Sequence, residues 1–209
     1  MITIVNYKMG NIRSIVNALD YLGLRSRVSS SPHDISHSEK LILPGVGSYH
    51  TAMQNLHQMG LVNALNEAVL VKKRPILGIC LGMQLLSELG TEDGEVKGLG
   101  WIAGRVLRFQ FDDPRCRIPH IGFNSVRFSE RKSDLFNSLT GQTDFYFVHS
   151  YHMVCDEEQN VSGWTDYHGN FVASIEKGNI FGTQFHPEKS QSNGLAVLRN
   201  FAEIELAYA

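Results

Sequence analysis

One cysteine, Cys80, is a candidate catalytic nucleophile because of the residues on either side of it. Residues 75–84 read Pro-Ile-Leu-Gly-Ile-Cys-Leu-Gly-Met-Gln, so Cys80 lies between a short apolar run and a helical pattern. A sharp strand-to-helix turn lifts such a side chain out of the backbone, and the start of the helix favours a thiolate. Gly78 and Gly82 are the small residues that this crowded turn requires. The same stretch also fits a buried core cysteine in an ordinary strand–helix unit.

A candidate general base lies near the other end of the chain. His186 and Glu188 are two residues apart, and Pro187 between them excludes a helix. In extended backbone both side chains point to the same side, so the carboxylate can hold one imidazole nitrogen while the other faces a nucleophile. On its own the stretch also fits a turn with an incidental histidine. Together with Cys80 it predicts a thiol, a base and an orienting carboxylate.

Two further stretches could complete a site. Residues 44–47 read Pro-Gly-Val-Gly, and their backbone N–H groups could face a developing oxyanion, although a plain strand-to-helix turn explains them equally well. His149 and His152 are three residues apart, but no third ligand follows at a suitable spacing. We therefore expect no metal and no cofactor, and we expect residues 145–151 to be a strand whose end shapes a pocket.

Composition narrows the function classes. The chain has 209 residues, 43% of them hydrophobic, and a formal charge of -2 without a basic run, which argues against nucleic-acid binding. No run approaches the length of a membrane span, and the N-terminus reads as a strand and not as a signal peptide. The three cysteines are odd in number and far apart, which is typical of a protein of the reducing cytoplasm.

Alternating strand and helix patterns predict the first half of the fold. Apolar runs predict strands at 2–5, 25–29, 40–43 and 76–79. Helical spacing predicts helices at 12–23, 48–58 and 61–72, and a further helix from Leu81 to Gly90 after the turn. This order is typical of a parallel sheet covered on both faces.

The second half is richer in strands. Patterns after Gly90 predict strands at 105–109, 122–128 and 145–148, a hairpin of 171–176 with 180–184, and a last helix from about 192. We find no linker or internal repeat. The sequence therefore predicts an α/β fold in a single domain, 1–209, with a mostly parallel central sheet flanked by helices and an additional β-rich segment.

Taken together, these motifs resemble the class I (triad) glutamine amidotransferases over nearly the whole chain. Within that family, residues 118–124 (Ile-Pro-His-Ile-Gly-Phe-Asn), 148–151 (Val-His-Ser-Tyr) and 186–190 (His-Pro-Glu-Lys-Ser) look like the glutaminase subunits of imidazole glycerol phosphate synthases. Other members typically carry Pro-Gly-Pro-Gly at the oxyanion stretch and His in place of Met83.

The resemblance implies a site and a reaction. Cys80 would attack the side-chain amide of L-glutamine, and His186, oriented by Glu188, would move the protons. A γ-glutamyl thioester would form, releasing ammonia and then glutamate. The ammonia would pass to a (β/α)₈ synthase in a heterodimer of the histidine pathway. The other implied roles are the oxyanion contacts Leu81, Val46 and Gly47, the substrate contacts Gln84, His149, Ser150 and Tyr151, and the partner contacts Asn11, Pro119, Phe123, Asn124 and Lys189.

Four departures from the family pattern leave the ammonia acceptor open. Asn6 and Lys8 stand where the family usually has Asp and Gly, Phe123 replaces a usual Trp, and His152 follows Tyr151 where another aromatic is common. A paralogous glutaminase that supplies ammonia for a surface-polysaccharide sugar is therefore an alternative. Two others are a partner-independent cysteine amidase or γ-glutamyl hydrolase, and a silent regulatory subunit, although a silent subunit would not need an intact triad.

Overall fold

The computed structural model describes residues 1–113, 115–130 and 133–205. Its helices are α1 (Ile12–Tyr21), α2 (Pro32–Ser36), α3 (Tyr49–Gln58), α4 (Leu61–Asn66, continued by a π-helical turn at Glu67–Val71), α5 (Leu81–Gln84) and α6 (Gln191–Glu203). Its strands are β1 (Ile2–Val5), β2 (Ser26–Ser29), β3 (Lys40–Leu43), β4 (Ile76–Ile79), β5 (Ser87–Gly90), β6 (Val96–Lys97), β7 (Ile102–Arg108), β8 (His120–Phe128), β9 (Thr143–His149), β10 (Tyr151–Cys155), β11 (Val161–Asp166), β12 (Asn170–Lys177) and β13 (Ile180–Thr183). Three short 3₁₀ turns lie at Asp134–Phe136, Glu158–Asn160 and Pro187–Lys189.

A nine-stranded mixed sheet organises the molecule. Its order is β2-β1-β3-β4-β13-β12-β11-β8-β9. Neighbours from β2 to β13 are parallel, and neighbours from β13 to β9 are antiparallel. A smaller sheet, β10-β7-β5-β6, lies beside it. The predicted α/β class is confirmed, because the parallel part comes from the alternating first half and the β-rich second half extends the same sheet.

The core strands are buried on both faces, which explains their continuous apolar sequences. In β3, Leu41 and Leu43 belong to the cluster that also contains residues of α3 and α4, whereas Ile42 belongs to the cluster of α1 and α6. Successive side chains of a strand point to opposite faces, so one short strand supplies both cores. Among the described residues, no helix is both long and apolar enough to cross a membrane.

Most predicted elements are present, including the hairpin, in which Lys177 pairs with Ile180. The helix predicted from Leu81 to Gly90 is wrong after Gln84, because the following backbone hydrogen-bonds elsewhere. The carbonyl of Leu85 accepts from the N–H of Leu99 at 2.8 Å, and the carbonyl of Leu86 accepts from those of Trp101 and Ile102 at 3.0 Å. Residues 87–90 then form β5.

Other elements escaped the sequence patterns. The polar stretch before β3, for which the sequence patterns predict no element, holds the short helix α2, whose N-cap Ser31 accepts from the N–H of Asp34 at 3.4 Å. Strands β6, β10 and β11 were not predicted either. They pair with distant residues, such as Met153 of β10 with Val106 of β7, and their sequences carry little local signal.

Candidate active site

Cys80 occupies a strained turn between β4 and α5. Its φ of 54° and ψ of -111° lie outside the regions that ordinary residues prefer. Its own N–H donates to the carbonyl of Thr183 at 2.7 Å, which ties the turn to the end of the neighbouring strand β13. The side chain is only 6% exposed. This is the geometry of a nucleophile elbow, as the sequence predicted.

The glycines around Cys80 are sterically required. A Cβ on Gly82 would collide with the carbonyl oxygen of Leu43, and one on Gly78 would lie 2.8 Å from the carbonyl oxygen of Gly82. A Cβ on Gly45 would lie 2.7 Å from the Gly82 nitrogen and 2.8 Å from the Leu81 Cβ. Residues 43–45 therefore pack directly against the start of α5, which brings the predicted oxyanion stretch close to the turn.

The structure also forms the predicted histidine–carboxylate pair. Nδ1 of His186 lies 2.8 Å from Oε1 of Glu188, and the two side chains are 2% and 1% exposed. Because β13 runs parallel to β4, with Thr183 opposite Ile79, the chain that leaves β13 passes beside Cys80. The backbone N–H of His186 donates to the carbonyl of Tyr146 at 2.9 Å and anchors this segment.

The second ring nitrogen of His186 faces the thiol. Within the described part of the chain, Nε2 is buried and makes no hydrogen bond of ordinary geometry. Burial alone would lower the pKa of His186, but the nearby charges of Cys80 and Glu188 and the hydrogen bond with Glu188 together raise that pKa to about 10. The arrangement therefore favours a protonated imidazole next to the sulfur of Cys80, with Glu188 holding the opposite nitrogen.

An open cleft of about 450 Å³ lies above the sulfur. It contains all the predicted oxyanion and substrate positions. These are Val46, Gly47, Leu81, Gln84, His149, Ser150 and Tyr151, which line the cleft together with Cys80. A larger cavity of about 670 Å³, lined by Lys73, Asp134 and Asn200 among others, contains no triad member.

Sequence reasoning missed two polar residues of this site. Glu92 lines the cleft, and its Oε2 accepts from the N–H of Tyr49 at 2.8 Å. Gln184 is fully buried, and its Nε2 lies 3.7 Å from the Cys80 sulfur. Gln184 could have been noticed, because it immediately precedes Phe185 and His186. Nothing near Glu92 marked it in the sequence.

The predicted partner contacts lie in two places. Phe123 is 52% exposed on β8, and its ring meets that of Tyr146 edge-on, with centroids 5.6 Å apart. Lys189 is exposed, and its Nζ lies 5.8 Å from the centre of the same Tyr146 ring. Asn124 is half-buried next to Phe123, and the exposed Pro119 also lines the cleft. Asn11 is exposed before α1, in a loop whose Gly10 packs against Pro44.

The departures from the family pattern leave the triad untouched. Lys8 adopts a φ of 69°, and its N–H donates to Oδ1 of Asn6 at 3.1 Å. A left-handed backbone conformation favours glycine, so a lysine at this position adds backbone strain. His152 stacks on Phe109, with ring centroids 4.6 Å apart.

Comparison with known proteins identifies the family. The model of the family described as "Glutamine amidotransferase class-I" matches residues 3–204. This chain belongs to that family. The protein is therefore a glutamine amidotransferase of class I.

Several similar relatives carry one name. The imidazole glycerol phosphate synthase subunit HisH 1 of Campylobacter jejuni is 46% identical over 98% of this chain and 100% of its own length. The subunits HisH of Moorella thermoacetica and Leptospira interrogans are 48% and 43% identical, over 97% and 98% of this chain and 94% and 100% of theirs.

Solved structures share the fold. A structure titled as a glutamine amidotransferase superposes with a TM-score of 0.73 at 19% identity, covering 96% of this chain and 97% of that one. The PurLQS structure from Thermotoga maritima gives a TM-score of 0.71 at 20% identity, with 96% of each chain covered. At these identities the likeness concerns the fold alone.

Proposed function

We propose that residues 1–209 act as one domain, the glutaminase subunit of an imidazole glycerol phosphate synthase. It hydrolyses L-glutamine to glutamate and ammonia for a (β/α)₈ partner. The observation that carries this proposal is that the buried His186–Glu188 pair interacts with Cys80, whose sulfur borders an open cleft. The full-length relatives named HisH support the choice of pathway.

The geometry supports a thioester mechanism. The Cys80 thiolate attacks the side-chain carbonyl carbon of glutamine, and the backbone N–H groups of Leu81 and of Val46 or Gly47 hold the oxyanion. Protonated His186 gives its proton to the departing ammonia. The neutral imidazole then takes a proton from water, which attacks the thioester, releases glutamate and restores the thiolate. Glu188 keeps Nδ1 protonated and the ring oriented throughout.

The cleft also offers groups for the amino-acid head of glutamine. Nε2 of Gln84 already donates to the Tyr151 carbonyl at 2.9 Å and to Gln184 Oε1 at 3.0 Å, which leaves Gln84 Oε1 free to accept. Glu92 adds a carboxylate to the same wall. We assign these two acceptors to the α-ammonium group, since it is a donor with a positive charge. His149 and Ser150 frame the rest of the pocket.

A partner follows from the chemistry of ammonia. In neutral water ammonia is mostly protonated and no longer nucleophilic, so it must reach its acceptor without mixing with solvent. Ile121 and Phe123 are 59% and 52% exposed on β8, and they form an apolar surface suited to a docked partner. We assign the (β/α)₈ subunit to this surface, with Asn11, Pro119, Asn124 and Lys189 as further contacts. A cytoplasmic location remains a prediction.

The direct test measures glutamate release from glutamine with and without a purified (β/α)₈ subunit. We expect turnover to rise at least tenfold with the partner, because engagement of the partner is expected to favour the active state. Cys80→Ser should abolish turnover while the complex still forms in a calorimetric titration. Comparable turnover in Cys80→Ser would refute the assignment of the nucleophile.

A second candidate differs only in the acceptor. The departures from the family pattern at Lys8, Asn6 and Phe123 lie on the proposed partner side. A glutaminase dedicated to sugar amination would differ there. Supplying the complex with the phosphorylated ribulosyl substrate separates the two. Formation of imidazole glycerol phosphate supports the histidine pathway, and stimulated glutaminase without that product supports the sugar pathway. Strong turnover of free glutamine with no partner at all would instead support a stand-alone amidase.

A further inference from the structure

A continuous chain of hydrogen bonds runs from the surface strand β8 to the sulfur of Cys80. We propose that His120 and Gln184, two buried residues so far without a role, position the glutamine pocket and the thiol through this chain. The proposal deepens the glutaminase function and rests on it for its kinetic part. The members are Asn124, His120, His149, the carbonyl of Tyr151, Gln84 and Gln184.

The carbonyl of Tyr151 determines the direction of the histidine half. Nδ1 of His149 lies 2.8 Å from this oxygen, which can only accept, so Nδ1 carries the proton. Burial lowers the pKa of His149 to about 3 and that of His120 to about 4, so both rings are neutral. Nε2 of His149 therefore accepts from Nδ1 of His120 at 3.1 Å. Nε2 of His120 in turn accepts from the amide of Asn124 at 3.4 Å.

The same carbonyl determines the direction of the glutamine half. Because it only accepts, the group of Gln84 that faces it is the amide nitrogen, at 2.9 Å. The second hydrogen of that nitrogen points to Gln184, so the Gln184 atom that meets it is the oxygen Oε1, at 3.0 Å. The amide nitrogen of Gln184 is then left to face the sulfur, at 3.7 Å. A donor at the sulfur stabilises a thiolate.

The surroundings hold the chain in one arrangement. His120 and His149 are directly opposite each other on β8 and β9. The His120 ring is stacked between Tyr167 and Phe147, with centroids 4.0 Å and 4.9 Å away. Gln184 is fully buried, and Asn124 also donates to the carbonyl of Asp166 at 2.9 Å. Rings and amides fixed in this way leave each donor with one acceptor, so the loss of one member affects its neighbours.

The two ends predict different kinetic effects. The histidine pair holds the segment of residues 148–151 that lines the cleft. His120→Phe keeps a stacked ring but removes the hydrogen-bond donor to His149. This variant should raise KM for glutamine about fivefold, with a smaller change in kcat. Gln184→Met keeps the volume but removes the donor at the sulfur. It should lower kcat about tenfold and leave KM almost unchanged.

Matched variants separate positioning from packing. His120→Asn places an amide N–H close to the former Nδ1 and should restore KM to within about twofold of wild type. His152→Phe makes the same ring substitution in the same aromatic cluster, where it stacks on Phe109 but takes no part in the chain. It should behave as wild type. All variants are measured in the complex, after circular dichroism has shown that they fold.

A second readout does not depend on glutamine. The rate at which iodoacetamide alkylates Cys80 at pH 7 is followed by peptide mass spectrometry, with Cys116 and Cys155 as internal references. Gln184→Met should slow alkylation of Cys80 about tenfold relative to these references. If wild type releases no glutamate, the proposed function fails, while alkylation still tests Gln184. Should His120→Phe not fold, the Gln184→Met result decides alone.

Defined outcomes overturn the proposal. Wild-type KM in His120→Phe together with wild-type alkylation in Gln184→Met would refute the chain. Equal losses in His120→Phe, His120→Asn and His152→Phe would show that only packing matters, which also refutes it.

Discussion

His186 and His149 are both almost fully buried, 2% and 6% exposed, yet their pKa values move in opposite directions. Burial disfavours the charged ring at both positions. At His186 the charge of Cys80 and the carboxylate of Glu188 overcome that penalty and raise the pKa to about 10. At His149 the partners are the carbonyl of Tyr151 and a neutral His120, so burial prevails and lowers the pKa to about 3.

The difference shows how one residue type serves two tasks in one cleft. A histidine between a thiol and a carboxylate can exchange protons during catalysis. A histidine between a carbonyl and another histidine cannot gain a proton near neutral pH, so its hydrogen bonds keep a constant direction. We therefore assign proton transfer to His186 and positioning to the pair of His120 and His149.

The largest expected effect on catalysis comes from replacing His186, the histidine whose pKa is raised. His186→Asn keeps a donor towards Glu188 but removes the base, so kcat for glutamine hydrolysis in the complex should fall about 10³-fold or more. KM and partner affinity should change little, because His186 lies at the sulfur and not at the head of the pocket. Steady-state kinetics measure this, and a loss below about tenfold would contradict the role of His186.

The second largest expected effect comes from replacing Glu188, whose carboxylate helps to raise the pKa of His186. Glu188→Gln removes the negative charge at 2.8 Å from Nδ1, so the pKa of His186 should fall and kcat should drop about 10²-fold. The pH dependence of kcat should shift to lower pH at its basic limb. An unchanged pH profile with full activity would mean that Glu188 does not orient the imidazole.

The neutral pair should appear in the pH dependence of stability. Burial lowers the pKa values of His120 and His149 in the folded protein to about 4 and 3, below the ordinary histidine value of 6.5. Between pH 4 and pH 6.5 the unfolded chain binds more protons at these two histidines than the folded protein does. The contribution of the pair to the free energy of unfolding is therefore present above pH 6.5 and is lost as pH falls towards 4. Allowing for solvent screening, we expect a loss on the order of 2 kcal/mol from pH 6.5 to pH 5.

Urea unfolding at the two pH values measures this loss. His120→Phe should show a smaller loss than wild type, whereas a substitution of the exposed His57 by Gln should show the same loss as wild type. If His120→Phe retains the full pH dependence, the pair does not remain neutral in the folded protein.

The smallest effect concerns the stacking that holds the pair. Tyr167→Leu removes the ring 4.0 Å from His120, and the free energy of unfolding should fall by about 1 kcal/mol. Tyr167→Phe keeps the ring and loses only the hydrogen bond from the hydroxyl to the carbonyl of Arg117, 2.9 Å long, so its loss should be smaller. Equal losses would place the stabilisation in the hydroxyl and not in the stack.

Much of the first half of the fold was predictable, because its signals are local. The apolar runs of β1, β3 and β4 and the helical spacing of α1 and α3 follow from periodicity within one element. Residues 85–90 were mispredicted as helix, since Leu85, Leu86 and Leu89 fit a helical face as well as a buried extended segment. Hydrogen bonds from residues 99–102 decided between the two.

The sequence by itself determined which residue types stand at 80, 186 and 188 and the tight turns that hold them. Residue types, two glycines and one proline impose the turns that such a site needs, and these steric demands act over a few residues. Only the tertiary structure decided which other polar groups gather around the cleft and the sulfur. The hydrogen-bond partners of Glu92, Gln184 and the pair of His120 and His149 lie far away along the chain. No pattern along the chain encodes which donor will meet which acceptor.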